Sequence, residues 1–382
     1  MAVPRHAIQR DEAGPPAAAS GPARTVRLDL PGPKDGKERN AVRNHLSAMT
    51  GHGRTLWVAG DEGAGIECLA TADGATWTWQ GSFDLIAPLG LPKRSGKRRE
   101  IAIEGLDVDG GLLWVVGSHA LTREKPGLPE SDPETAIELL GESVGGKNRQ
   151  LLGCVPIVEV TPGRYEPRAE VKAKEGRRHA ARLAIDAGEG ALVSAVRKAE
   201  DPHLLPFLPL PATENGFHIE GLAVRGGRAF IGLRGPVVGG FAVLLEVFLD
   251  VEGDRLRLVK VAGGGRRYRK HFLAVEGCGI RELCFRGDDL LLLVGPTMRA
   301  DGPVSVWCWR NALDETGDSI FEPGHRLVRL LDVPHRTGTD RAQGMALLPQ
   351  GGGRELLVVY DSPHEKRCHG AGNVDADVFL LP

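Results

Sequence analysis

The segment IEGLDVDGGLLWVVGSH, Ile103 to His119, is written again with few changes as IEGLAVRGGRAFIGLRG, Ile219 to Gly235. A chain that repeats a unit of this length builds its core by stacking copies of one supersecondary element, which restricts the fold more than local propensity does. Aligned on the Leu of "EGL", three weaker copies follow. They are NHLSAMTGHGRTLWVAGDE (Asn44–Glu62, with a slightly longer turn), IRELCFRGDDLLLLVGPT (Ile280–Thr297) and AQGMALLPQGGGRELLVVYDS (Ala342–Ser362). Each joins an alternating segment to an apolar run through a Gly-rich turn. That is the pattern of a hairpin with a half-buried first strand and a more buried second.

Further strand-like text follows the hairpins, such as GIECLATADG and TWTWQGSFDL after the first and SVWCWRNAL and HRLVRLLDV after the fourth. The expected fold is therefore all-β, a β-propeller of four-stranded antiparallel blades. The chain ends in DADVFLLP and begins, past a Pro/Ala-rich stretch, with RTVRLDLP. These read as strands sharing one blade, a closure that removes the sheet edges. Five blades are favoured. Six stay open, because ARLAIDAGEGALVSAVRKAED (Ala181–Asp201) reads either as a worn hairpin or as an inserted helical segment. The domain expectation is a disordered tail over 1–24 and one propeller over 25–382, with the insertion or degenerate blade at about 161–203.

Composition agrees. The 382 residues are 41% hydrophobic and hold 52 Gly and 26 Pro, which suits a sizeable core of short strands joined by tight turns. A net charge of −2 argues against a dedicated nucleic-acid binder. The basic runs Lys93–Arg99, Arg177–Arg182 and Arg266–Lys270 read as solvated loops. There is no signal-type apolar core near the start and no run of the ~18 apolar residues that a membrane helix needs. Six cysteines without CxxC spacing point to reduced thiols and a cytoplasmic setting.

The same alignment locates a site. In an antiparallel hairpin the start of the first strand and the end of the second lie together. Asn44, Glu104, Glu220, Arg281 and Gln343 open the first strands, and Asp61, Ser118, Arg234, Gly295 and Asp361 close the second; Glu62, His119 and Ser362 come next. If the first strands line a central channel, these side chains meet at one mouth. Carboxylates and guanidiniums converging on an axis must pair, bind water or hold an ion. Glu104, Glu220, Asp61 and Asp361 form the expected metal set, for Ca²⁺ or Mg²⁺ because the donors considered are oxygens. His119 is the candidate general base beside Glu104, with Arg234 and Arg281 steadying developing negative charge. Asn44, Asn148, Arg149 and Gln343 are the candidate substrate contacts. Read without a ligand, the same residues are a polar network that holds the blades in register. Trp57 and Trp114, at matching places in second strands, are read as packing between blades. Nucleophile-elbow, P-loop and dinucleotide patterns are absent, so no nucleotide cofactor is expected.

Through RREIAIEGLDVDGGLLWVVGSHALTREKP, ENGFHIEGLAVRGGRAFIGLRGPV and GCGIRELCFRGDDLLLLVGPT, the chain from about Asn44 to its end resembles the uncharacterised bacterial domain-of-unknown-function 3616 family. That resemblance implies little about activity. More distantly the motif series is similar to phytase-like propeller proteins, often labelled esterase-like, which implies ester or phosphoester hydrolysis around a divalent cation. Glu104, Glu220 and Asp361 carry over by position, whereas Arg281 and Gln343 stand where that pattern could be acidic. Two functions follow: a metal-assisted hydrolase of a phosphoester, ester or lactone acting on a small anionic substrate, or a non-catalytic propeller binding a protein or small ligand. A third, nucleic-acid binding through the basic loops, predicts salt-sensitive retention.

Overall fold

The protein is described by a computed structural model covering residues 21–33, 36–37, 41–92, 100–124, 132–173, 176–261, 265–298 and 300–382. The tail expected over 1–24 lies outside the described residues as far as residue 20, and so does the basic run at 93–99; Arg24 already opens a strand. Among the described residues the chain is all-β apart from two short helices.

Strand β1 (Arg24–Asp29) precedes the first hairpin, β2 (Leu46–His52) and β3 (Thr55–Gly60), which continues into β4 (Gly65–Ala70) and β5 (Thr76–Asp84). The second hairpin is β6 (Ile103–Asp109) and β7 (Leu112–Gly117). After helix α1 (Pro133–Gly141), β7 pairs with β8 (Leu152–Thr161) and β8 with the short β9 (Ala181–Arg182). Helix α2 (Ala191–Lys198) then leads to β10 (His218–Arg225), β11 (Arg228–Val238), β12 (Phe241–Glu252) and β13 (Tyr268–Leu273). A further run is β14 (Gly279–Arg286), β15 (Asp289–Gly295), β16 (Val304–Trp309) and β17 (Leu327–Val333). The last hairpin is β18 (Arg341–Leu347) and β19 (Glu355–Asp361), and β19 pairs with β20 (Asn373–Leu380). Strand β1 returns to pair antiparallel with β20, Arg24 opposite Val378, so the two ends of the described chain share one sheet.

The turn chemistry explains the doubled glycines. Gly110–Gly111 and Gly226–Gly227 all have positive φ (61°, 75°, 59° and 78°), the backbone of a two-residue turn whose twist matches its strands. Past each turn the apolar run is buried on both faces. The strands β2, β6, β10, β14 and β18 pack side by side and β18 returns to β2, closing a curled, propeller-like cycle. One hydrophobic cluster lies between each neighbouring pair of hairpins in that cycle. Trp57 fills the cluster between the first and second hairpins, and Trp114 the one between the second and third. Leu192, Val193, Ala195 and Val196 of α2 join Trp114 in that cluster, so residues 191–198 are a helix packed against the sheets.

Candidate functional site

The first strand of every hairpin slips out of register near its start. The slips fall between Leu46 and Ala48, Ile103 and Gly105, Ile219 and Leu222, Ile280 and Glu282, and Ala342 and Gly344. A bulge of this kind kinks the strand and re-aims the extra side chain. The bulged residues are Ser47, Glu104, Glu220 with Gly221, Arg281 and Gln343. This corrects the register expected for the first hairpin. Met49, opposite Val58, is the counterpart of Leu106, opposite Val115, and both turns contain two residues. The first-hairpin equivalent of Glu104 is therefore Ser47, which donates to the carbonyls of Ile103 (2.5 Å) and Ala59. Asn44 instead lies in a short 3-10 turn outside the cavity wall, its carbonyl accepting the Ser362 amide.

Glu104, Glu220, Arg234, Arg281, Gln343, Asp61 and Asp361 line one cavity of about 180 Å³, together with His218, Arg341 and the loop residues Ala212, Thr213, Met298 and Ala300. Glu220 is its hub. Its Oε1 accepts from Arg234 Nη1 (2.7 Å) and Gln343 Nε2 (3.3 Å). Arg234 also donates to the Met298 carbonyl, and Arg281 donates to the carbonyl of Pro296 (3.0 Å) and to Gln343 Oε1 (3.4 Å). His218 Nε2 stands 3.7 Å from Glu104 Oε1 and 3.6 Å from Glu220 Oε1. Among the described residues Glu104 Oε2 and Glu220 Oε2 are buried with no hydrogen-bond partner.

Charge is uneven across this cluster. Burial, then the nearby Glu220 and Asp61, push Glu104 well above the usual carboxyl range. Burial acts on Glu220 in the same direction, but Arg234, His218 and Arg281 outweigh it and hold Glu220 low, hence ionised. Burial lowers His218 to about 4, so its imidazole is neutral at pH 7. Asp61 is pushed up to about 7 by its setting among protein atoms and by Asp361, although 45% of its side chain faces the open cavity. Asp361 is raised as well, chiefly by burial.

The remaining expected residues lie elsewhere. His119 is not in the cavity wall: its backbone is left-handed (φ 52°) and its Nδ1 is bonded to the Gly117 carbonyl (2.9 Å), so the ring is turned into the protein. Burial lowers it to about 4. Asn148 is buried with its amide donating to the Pro92 carbonyl (3.4 Å), and Arg149 pairs with Glu100 at 3.2 Å. Glu62 sits 3.7 Å from His45. Ser118 joins strands through its backbone, its carbonyl accepting the Ile219 amide. Gly295 has a packing role, since a Cβ there would lie 2.5 Å from Arg281 Nε.

His218 is the residue that the alignment on "EGL" passed over. It stands two positions before Glu220 in FHIEGL, the spacing that returns a strand side chain to the same face, and that was the available signal. Glu104, His218 and Glu220 can each present one ligand atom, all within 4.8 Å of one another, and form a candidate site for a divalent cation. Two ligands of one tetrahedral ion at 2.0–2.2 Å stand about 3.4 Å apart. The separations of 3.6 and 3.7 Å around His218 are near that value and too long for hydrogen bonds.

Comparison with known proteins adds a family. Residues 45–377 match the family described as Protein of unknown function (DUF3616), and the chain belongs to it. No curated protein matches the chain. Among solved structures it is similar to a GH43 glycoside hydrolase engineered to display both endo-xylanase and exo-arabinofuranosidase activity, with a TM-score of 0.39 and 13% identity over 90% of this chain and 50% of that one. A mutant of the GH43 protein BlXynB from Bacillus licheniformis gives 0.37 and 10%, over 89% and 53%. The calcium-binding protein regucalcin from Agrobacterium tumefaciens gives 0.35 and 10%, over 93% and 95%. The chain spans about half the length of the two GH43 proteins. Nothing of the site's chemistry is carried over from them.

Proposed function

We propose that the chain is a five-bladed propeller whose channel mouth holds one divalent cation on Glu104, His218 and Glu220 and hydrolyses a phosphoester, ester or lactone. One observation carries the cation: a neutral imidazole stands between two buried carboxyl groups, each with an oxygen that has no partner among the described residues. Burying carboxyl oxygens unsatisfied is unfavourable, and an ion answers both at once. The imidazole in the donor set favours Zn²⁺ or Mn²⁺ over the Ca²⁺ or Mg²⁺ suggested by oxygen donors alone. Five blades are supported by the closed cycle of five hairpin first strands and by the helix, not a hairpin, at 191–198.

A cation held by Glu104, His218 and Glu220 would polarise the ester or phosphoryl oxygen and lower the pKa of a water beside it toward neutral. The chain's own groups do the rest. Asp61 and Asp361, in the same cavity, take the proton that water loses and return one to the leaving oxygen. Arg234 and Arg281 stabilise the negative charge that gathers on the attacked group. The bond from carbon or phosphorus to the leaving oxygen breaks as water oxygen bonds in its place, and the leaving alcohol departs with a proton. Six free thiols fit work in a reducing compartment. No helix among the described residues is long and apolar enough to cross a membrane.

The non-catalytic reading has one observation behind it. The links from Arg234 to Glu220, Glu220 to Gln343 and Gln343 to Arg281 tie β10, β11, β14 and β18 together with no ligand. Thermal unfolding after chelation, with Zn²⁺, Mn²⁺, Mg²⁺ or Ca²⁺ restored and metal content measured, separates the two. At a cation concentration of 100 Kd the stabilisation is about 2.7 kcal/mol. It should vanish in Glu104→Gln and His218→Gln and persist in His119→Gln. No bound metal and no shift with any cation would leave the network reading in place.

A further inference from the structure

Arg281 is 3% exposed, yet among the described residues no carboxylate oxygen lies within 4 Å of its guanidinium. Its acceptors, the Pro296 carbonyl and the Gln343 amide oxygen, are both neutral. The other two arginines of the cavity are answered, Arg234 by Glu220 at 2.7 Å and Arg341 by Asp301 at 3.2 Å. Burial and the neighbouring Arg234 lower Arg281 to about 10, the direction expected of a cation held without a counter-ion. The backbone accommodates it deliberately: its stem crosses Gly295, where any side chain would collide. A buried guanidinium kept in place by packing and short of an anion is a receptor for one.

We propose that Arg281, flanked by Arg234, seats a compact anionic group of the substrate, a phosphate or a carboxylate, deep in the cavity beside the cation. The seat stands on Arg281's own geometry, and the coupling to the cation rests on the reading above. The substrate is thus a small molecule with a terminal anion. A cavity of about 180 Å³ has room for the anionic head and little more; a void of ~150 Å³ holds a benzene-sized molecule. Anion and cation should strengthen each other's binding, since each supplies charge that the other lacks.

The test is calorimetric titration of the full chain with inorganic phosphate and, separately, with acetate, in the presence and absence of the cation found to bind. Saturable binding of one anion, tightened by the cation and weakened at least ~tenfold in Arg281→Gln, is the expected result. The variant should still take up the cation, because Arg281 is not one of the three ligands. The anion that binds tells phosphoester from carboxylate chemistry. Should Arg281→Gln fail to fold, Arg281→Lys keeps the charge without the planar fork and should retain weak binding. Absence of binding by both anions to the cation-loaded protein overturns the inference, as does equal affinity in the wild type and Arg281→Gln. Anion binding by a protein that takes up no cation would sink the cation reading and leave the anion seat standing.

Discussion

Replacing Arg234 by Met removes the only short ion pair that Glu220 makes among the described residues, 2.7 Å from Nη1 to Oε1, and leaves a carboxylate buried to 1% of its side-chain surface. Breaking one side of a buried pair typically costs about 3–5 kcal/mol, most of it from the charge left behind. For a chain of 382 residues, an unfolding entropy of about 2.1 cal/mol/K per residue amounts to roughly 0.8 kcal/mol/K, so Tm should fall by about 4–6 °C in chelator. Two further features separate this from ordinary loss of packing. Without its guanidinium Glu220 is raised by burial, so its folded-state pKa stands above the unfolded one. Stability then declines as pH rises between the two, and the deficit against wild type should shrink from pH 7 to pH 5.5. Saturating cation should restore more stability to Arg234→Met than it adds to the wild type, because it now supplies the missing positive charge. Calorimetric or fluorescence melts at both pH values, each with and without cation, make the measurement. A deficit under about 1 °C, or one that neither pH nor cation alters, would refute the account of Glu220 as an ionised carboxylate that depends on its cationic neighbours.

Two other outcomes follow from the channel below the mouth. Glu282 is fully buried on β14; its Oε1 accepts the amides of Leu222 (3.4 Å) and Leu283 (3.0 Å), Oε2 has no partner among the described residues, and burial raises it well above the usual range. A carboxyl raised on folding gives its full stability below the unfolded pKa near 4.5 and loses it as pH rises toward the folded value, so Glu282→Gln should match wild type at pH 5 and exceed it at pH 8 in denaturant midpoint. In Gly105→Ala the new Cβ would lie 2.7 Å from Leu222 on the neighbouring first strand, and denaturant melts should show a loss of about 1–3 kcal/mol, with the cation response kept if the mouth is undisturbed.

Much of the architecture was open to reading because its signals are local. Each turn holds a glycine at positive φ, the apolar second strands need burial, and both recur with every hairpin. The convergence of Glu104, Glu220, Arg281 and Gln343 was legible for the same reason: the four share one position in a repeated unit. Three things were not. Counting the first hairpin from Leu46 instead of Met49 shifted the site position from Ser47 to Asn44, because both residues are apolar and the pattern alone gives no register. His119 looked suited to a base, but the left-handed backbone at that position turns its ring inward, and backbone conformation after a strand end is not written in side-chain type. His218, two residues before Glu220, has no counterpart histidine in the second, fourth or fifth hairpin, so the repeat itself does not mark it.

The bulges explain why a site forms at this place in the fold. In a regular strand the residues on either side of Glu104 or Arg281 would share the alternation of the ladder, and a charged side chain facing the narrow axis would crowd its counterparts. Slipping one residue at the start of each first strand lifts five side chains out of the ladder at a single level, where the channel opens. The small residues Ala48, Gly105 and Gly344 directly follow three of the bulges, Gly221 lies within the fourth, and after the fifth stands Glu282, whose carboxyl accepts the Leu222 amide. The cavity wall is mainly charged and polar, with Ala212, Met298 and Ala300 as its apolar part. On the proposed reading, Glu282→Ala, which removes a buried carboxyl one residue past Arg281, should weaken phosphate or acetate binding in calorimetric titration without altering the affinity for the cation.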